Sequence, residues 1–299
     1  MDETKFPKKK DAEDILFILS MSKVPGFPQY ITGYDDFIGP YESRYISSDF
    51  KNLNMDSVRC RSNHTLVNIE HHSSINENLL RRNYKYSTTI FEATGKKVYP
   101  YIYYTGESPI GNEVVYMNET NFFNPGWYCT YKIDGTKIFN NLKYKINNDE
   151  ELNDFDILDL IWFPKYKTNM SIKESIYKVL DFYPDINTND TLSDVCNTGL
   201  IIWAGRYFDE DELNEARRCL DMSTLELKSV EEMFTDMRFL YKMDQARNEG
   251  RDEGIEIGRD EGRDGVISKL LEFMTPQEIS EKVGVPLDSV LQVQSSISN

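Results

Sequence analysis

The sequence predicts an α/β protein: a mixed-sheet core flanked by helices over residues 1–147, a helical accessory region over 148–245, and a helical tail over 246–299. Three observations predict this. Two short strand-like runs, 57–61 and 65–72, enclose a polar turn, and VYPYIYYT at 98–105 reads as a further strand. Between them Leu80, Tyr84, Ser87 and Phe91 recur at helical spacing. After residue 170, the stretches 171–182, 191–206, 210–220 and 225–246 read as helices.

Residues 11–22 predict a short helix, ended by Pro25-Gly26-Phe27-Pro28. Residues 29–50 mix aromatics with acids such as Asp35, Asp36, Glu42 and Asp49. From Thr65 to His72 side chains alternate: Val67 and Ile69 point one way, Asn68, Glu70 and His72 the other, and Leu66 interrupts the polar face. Ser62-Asn63-His64 suits a three-residue loop, with Asn63 tolerating unusual backbone angles. With Arg61 opposite Thr65, Asp56 faces Glu70. Carboxyl groups so opposed have Cβ atoms about 5 Å apart and repel each other. A shared proton or a hard divalent cation relieves that. His72 lies on the same face, two residues beyond Glu70. The competing reading is a solvated face whose acids pair with Arg59 or Arg61, and a loop one residue longer or shorter would turn Asp56 to the other face.

Ser74 with Glu77 makes a capping box that starts a helix, and Gly95 ends it. Arg82 and Tyr86 lie one turn apart on it, beside Arg81 and Lys85. Past residue 105, turn signals at Asn124-Pro125-Gly126 and Asp134-Gly135 predict loops with a strand or two, and 143–147 reads as one more strand. In 149–159, acids interleaved with Leu152, Phe155 and Leu158 read as a partly exposed segment with a solvated acidic face.

Asp56, thirteen residues, then Glu70-His71-His72 leading into a helix resembles the core of the PD-(D/E)XK nucleases, a restriction-endonuclease-like fold. More narrowly, the segment is similar to the Rpn family of recombination-promoting nucleases, also labelled transposases. That family carries an Asp on one strand, an I-E-x-Q-S-like motif on the next, and an R-x-x-x-Y helix. Asp56, Ile69-Glu70-His71-His72-Ser73, and Arg82 with Tyr86 stand at those positions. The resemblance covers about residues 50–107, is weaker over 140–165, and recurs at 245–292. It implies a DNA endonuclease that hydrolyses phosphodiester bonds with Mg²⁺ or Mn²⁺, linked to recombination or transposition. Asp56 and Glu70 would ligate the metal, helped by the His71 carbonyl. His72 stands where the superfamily has Lys and this family usually Gln. It could be a neutral general base, a metal ligand, or the mark of a site that has lost activity. The last option leaves a catalytically silent binding or assembly protein as the alternative. Arg82 would contact phosphate or brace the strand, with Tyr86 behind it, and one acid of 29–50 could approach the metal.

The formal net charge of −16 argues against non-specific nucleic-acid binding over the whole surface. Residues 51–104 reverse the balance, with eight basic against four acidic side chains, a local net charge of +4. Cys60, Cys129, Cys196 and Cys219 are widely spaced, which suggests neither a zinc site nor a disulfide framework. The apolar run 15–21 is short for a signal peptide, and no run of about eighteen apolar residues predicts a membrane span. A cytoplasmic location is expected by default. In the tail, glycine recurs at 250, 254, 258, 262 and 265. This is either a flexible charged linker or a weak helix with a glycine seam for homo-oligomer formation. From Thr275 onward, Gly284 and Pro286 punctuate a helix-turn-helix-like hairpin whose second helix has no Lys or Arg. It is expected to pack or dimerise rather than read DNA.

Overall fold

A computed structural model describes residues 9–46, 52–111, 113–116, 118–220, 264–271 and 273–297. The predicted helix at 225–246, nearly all of the glycine-punctuated segment and Asp49 lie outside the described residues. The chain divides into two compact units, Met1–Met237 and Arg238–Asn299.

In the first unit, helices α1 (Lys9–Lys23) and α2 (Phe27–Thr32) precede strands β1 (Phe37–Pro40), β2 (Arg44–Ile46), β3 (Asn52–Asn54), β4 (Ser57–Arg61) and β5 (Leu66–His72). Helix α3 (Glu77–Thr94) leads to β6 (Val98–Tyr104), then β7 (Val115–Tyr116), β8 (Phe122–Phe123) and β9 (Gly126–Cys129). Next in the first unit come α4 (Gly135–Asn147), α5 (Asp154–Trp162), α6 (Ile172–Leu180), α7 (Asp190–Tyr207) and α8 (Glu210–Cys219). Among the described residues the main sheet runs β1-β4-β5-β6-β9. β1, β4 and β5 are antiparallel neighbours, whereas β6 and β9 continue parallel to β5. A parallel neighbour requires a crossover, and α3 supplies it.

All seven residues of β5 are buried, not the alternate ones that the pattern suggests. The reason is a helical layer on each face. Val67, Ile69 and Tyr103 join one core with Phe17, Trp162 and Trp203, from α1, α5 and α7. Leu66 packs on the other face with Val58, Cys60, Tyr86 and Ile90. Leu66 therefore does not interrupt a wet face: α3 covers it.

The hairpin has the expected register, with Ser57 opposite Ile69 and the Arg61 amide donating to the Thr65 carbonyl at 3.0 Å. The unusual backbone angle falls on His64, with φ of 62°, rather than on Asn63. The Asn63 side chain instead accepts from the amide and hydroxyl of Thr65. Helix α3 begins after Asn76, whose side chain accepts from the Leu79 amide, so the Ser74 capping box is not formed. Gly95 ends the helix at φ of 66°, a left-handed conformation open to glycine. The buried face of α3 is built on Leu80, Asn83, Tyr86, Ser87 and Ile90, while Phe91 is 54% exposed.

Two further expectations fail. Residues 143–147 belong to helix α4, capped by Asp134, and are not a strand. The acids of 149–159 are not simply a solvated face: Asp156 is buried and paired with Lys145 at 2.7 Å, and Asp159 accepts from Tyr166 at 3.0 Å.

In the second unit, Ile267, Ile279, Val290 and Val293 form a small core. The helix Pro276–Val283 starts on a Thr275–Glu278 capping box and ends at Gly284, with φ of 74°. The helix Leu287–Ile297 follows. These are the turn and helices that the sequence predicts for this stretch.

Candidate functional site

The hairpin ladder stops at Ser57 and Ile69, and the two strands part there. Asp56 and Glu70 occupy the first step of the gap. The Asp56 amide donates to Glu70 Oε1 at 3.3 Å, and the His71 amide donates to Asp56 Oδ2 at 2.8 Å. Asp56 is exposed as a residue, but its carboxyl turns inward onto the His71 amide, while Glu70 is only 2% exposed. Burial pushes both carboxyls above their ordinary range, and the Asp56 charge raises Glu70 further. Backbone amides and Arg82 pull in the other direction without prevailing.

Neither Arg59 nor Arg61 is hydrogen-bonded to these acids. Arg59 binds Ser57 Oγ at 3.1 Å and the Met21 carbonyl at 2.8 Å. Arg61 pairs with Asp36 at 2.7 Å and lies 3.7 Å over the Tyr34 ring. Arg82 is the cation whose field reaches Asp56, Glu70 and His72. It sits at the surface, 5.6 Å from the ring centre of Tyr86. Tyr86 is buried one turn further on, and the two acids and Arg82 act on its hydroxyl.

His72 shares this face. Its Nε2 meets the Asn83 side-chain amide, 3.0 Å from Nδ2 and 3.4 Å from Oδ1. Burial, with Arg82 and His71, lowers its pKa to about 4, so it is neutral at pH 7. The His71 side chain points to the opposite face, where it meets Asp14, Thr105 and Phe17. Its backbone stays with the site. The amide of residue 71 faces the β4 side, and in an extended strand its carbonyl faces the same way. The carbonyl of residue 72 points instead to β6, where it accepts from the Thr105 amide at 3.0 Å.

Asp56, Glu70, His72, Arg82 and Tyr86 thus converge on the α3 side of the hairpin end, with the His71 peptide between the first two acids. Asn83 and Asp14 also reach this neighbourhood; Asp14 adds a negative field at Asp56 and His72. It comes from α1, not from 29–50. Within 29–50, Asp36 is tied to Arg61 and Ser62.

Among the described residues no three His, Cys, Asp or Glu side chains group closely enough to hold a metal ion by themselves. The donors that do converge are two carboxylates and a peptide carbonyl. This is an all-oxygen set of the kind that Mg²⁺ or Mn²⁺ completes with water or substrate phosphate. Two acids of raised pKa in one gap fit such a cation.

The fold and site define a three-layer α/β protein with a carboxyl pair, Glu70 buried and Asp56 at the surface, at the parted end of a hairpin. Comparison of the chain with protein-family models, curated proteins and solved structures found no match. No described helix is long and apolar enough to cross a membrane.

Proposed function

We propose that the chain is a metal-dependent DNA endonuclease with a restriction-endonuclease-like core, acting in recombination or transposition. The observation that carries the reading is the hydrogen-bonded step from the Asp56 amide to Glu70 and from the His71 amide back to Asp56. It sets two carboxylates side by side within the field of Arg82. Asp56 and Glu70 would hold Mg²⁺ or Mn²⁺ together with the His71 carbonyl. A cation held there would polarise the scissile phosphate and generate hydroxide near neutral pH. His72 enters as a neutral ring held by Asn83, suited to orienting the attacking water. Arg82, at the rim, would meet a phosphate oxygen, with Tyr86 supporting it from behind. Lys and Arg side chains of 51–104 favour the DNA backbone despite the acidic total. Four free cysteines suit the reducing cytoplasm.

A second reading is a catalytically silent binding or assembly protein, and His72 favours it. Where the superfamily places a fixed positive charge, this chain holds a buried, neutral imidazole.

Plasmid cleavage with Mg²⁺ or Mn²⁺ separates the two. Wild type should nick or cut, and Asp56→Asn and Glu70→Gln should each lose on the order of 100-fold or more. Equal rates for all three proteins would remove the nuclease reading. Absence of cleavage, with a Mn²⁺-induced rise in melting temperature seen in wild type alone, would establish the silent one.

A further inference from the structure

On the other face of β5, behind the carboxyl pair, lies a polar chain that this function does not use. His71 is 5% exposed and stacks on Phe17 with ring centroids 5.4 Å apart. Its Nδ1 lies 2.7 Å from Asp14 Oδ1 and its Nε2 3.0 Å from Thr105 Oγ1. The Thr105 hydroxyl donates to Glu13 Oε2, and Lys165 Nζ donates to Glu13 Oε1 at 3.0 Å. Thr105 is fully buried, and the Lys165 side chain is 5% exposed.

Hydrogen-bond bookkeeping fixes the direction of this chain. A hydroxyl has one proton, and Thr105 gives it to Glu13, so toward His71 it can only accept. His71 Nε2–H therefore donates to Thr105, and Glu13 collects protons from both Thr105 and Lys165. Thr105 thereby holds the ring at Nε2, the Asp14 carboxyl lies against Nδ1, and Phe17 clamps its flat side. The peptide of the same residue has left the β4 ladder, and its amide goes to the Asp56 carboxyl. On the β4 side a side chain takes the place of a strand partner for this amide, while on the β6 side residues 70–72 stay in register with 102–104 and the ring packs behind the peptide.

We infer that Thr105 is a positioning residue: through His71 it fixes the peptide whose amide holds Asp56 and whose carbonyl faces the same gap. The positioning stands on these contacts; its consequence for metal rests on the nuclease reading. Thr105→Val replaces the hydroxyl by a methyl at nearly constant volume. Residue-resolved amide exchange on the full chain should show the residue 71 amide exchanging about tenfold faster, with the Ile69 amide unchanged. Thr105→Ser, which restores the hydroxyl, should bring it back. Mn²⁺ affinity, read from the free Mn²⁺ resonance, should fall about tenfold in Thr105→Val and recover in Thr105→Ser. Should Thr105→Val fail to fold, His71→Phe keeps the stack on Phe17, removes both ring hydrogen bonds, and is read in the same way. Unchanged exchange at residue 71, or an acceleration that serine does not reverse, would overturn the inference. The expected exchange pattern in a wild-type protein that binds no Mn²⁺ would remove the nuclease reading and leave the positioning role intact.

Discussion

Asp159 takes a hydrogen bond from Tyr166 at 3.0 Å and another from Tyr30 on the same oxygen, and the two hydroxyls are 2.5 Å apart. Burial raises its carboxyl to about 6, against the hydrogen bonds that favour the charged form. A raised acid helps the fold fully only below the unfolded pKa near 4, and that help is lost as pH rises through about 6. Asparagine keeps the accepting oxygen and does not titrate. Relative to Asp159→Asn, wild type should therefore lose about 2 kcal/mol of stability between pH 4 and pH 7, which urea midpoints at the two pH values will show. Such a role is invisible in the local sequence, because Tyr30 lies 129 residues away. The candidate site divides in the same manner. The facing of Asp56 and Glu70 and the one-turn spacing of Arg82 and Tyr86 were legible because strand parity and helix spacing act over a few residues, whereas joining the last two to the acids came from the resemblance. Asn83 was not, since an amide on a helix face looks like a surface residue until His72 stands beneath it. Asp14 was not, since its approach depends on how α1 lies against β5.

Helices α4 and α5 are fastened by Lys145, whose ammonium reaches both oxygens of Asp156 at 2.7 and 2.8 Å. Asp156 is also half of the capping box that starts α5, accepting from the Asn153 amide at 3.1 Å. One aspartate thus ends a neighbour's solitude and begins its own helix. Lys145→Met would leave a buried carboxylate with only the amide for company, at a cost of about 3 kcal/mol. Combining it with Asp156→Leu should cost less than Lys145→Met alone, a comparison that denaturant unfolding of the two variants will settle. The strand expected at 143–147 shows why short windows mislead. Lys143 to Asn147 alternates polar and apolar residues, but Ile138, Leu142 and Ile146 recur every fourth residue once the window reaches back to the Asp134 cap. Other signals were secure: the Gly95 stop, the β6 run and the Gly284 turn of the C-terminal hairpin all lie where local chemistry puts them.

The division at Met237 separates the sheet and its cores from the C-terminal helices. On the nuclease reading, a chain ending at residue 237 should melt within about 3 °C of the full protein and cut plasmid with Mn²⁺ at the rate of the full chain. If 246–265 is a helix with a glycine seam, light scattering should show self-association only in the full chain, whereas a flexible linker there predicts none. Cleavage lost with the tail would place part of the working site there. Within the first unit, the contacts around the carboxyl pair are very unequal in chain separation. Asp56 meets Glu70 over 14 residues, whereas Lys165 meets Glu13 over 152. Translation delivers these pieces in order, the N-terminal part emerging first. A nascent chain on the ribosome displays both acids and α3 well before Lys165 appears to hold Glu13. Until then the brace behind residue 71 is incomplete, so a polypeptide cut short before that lysine carries the acids without the means to align them.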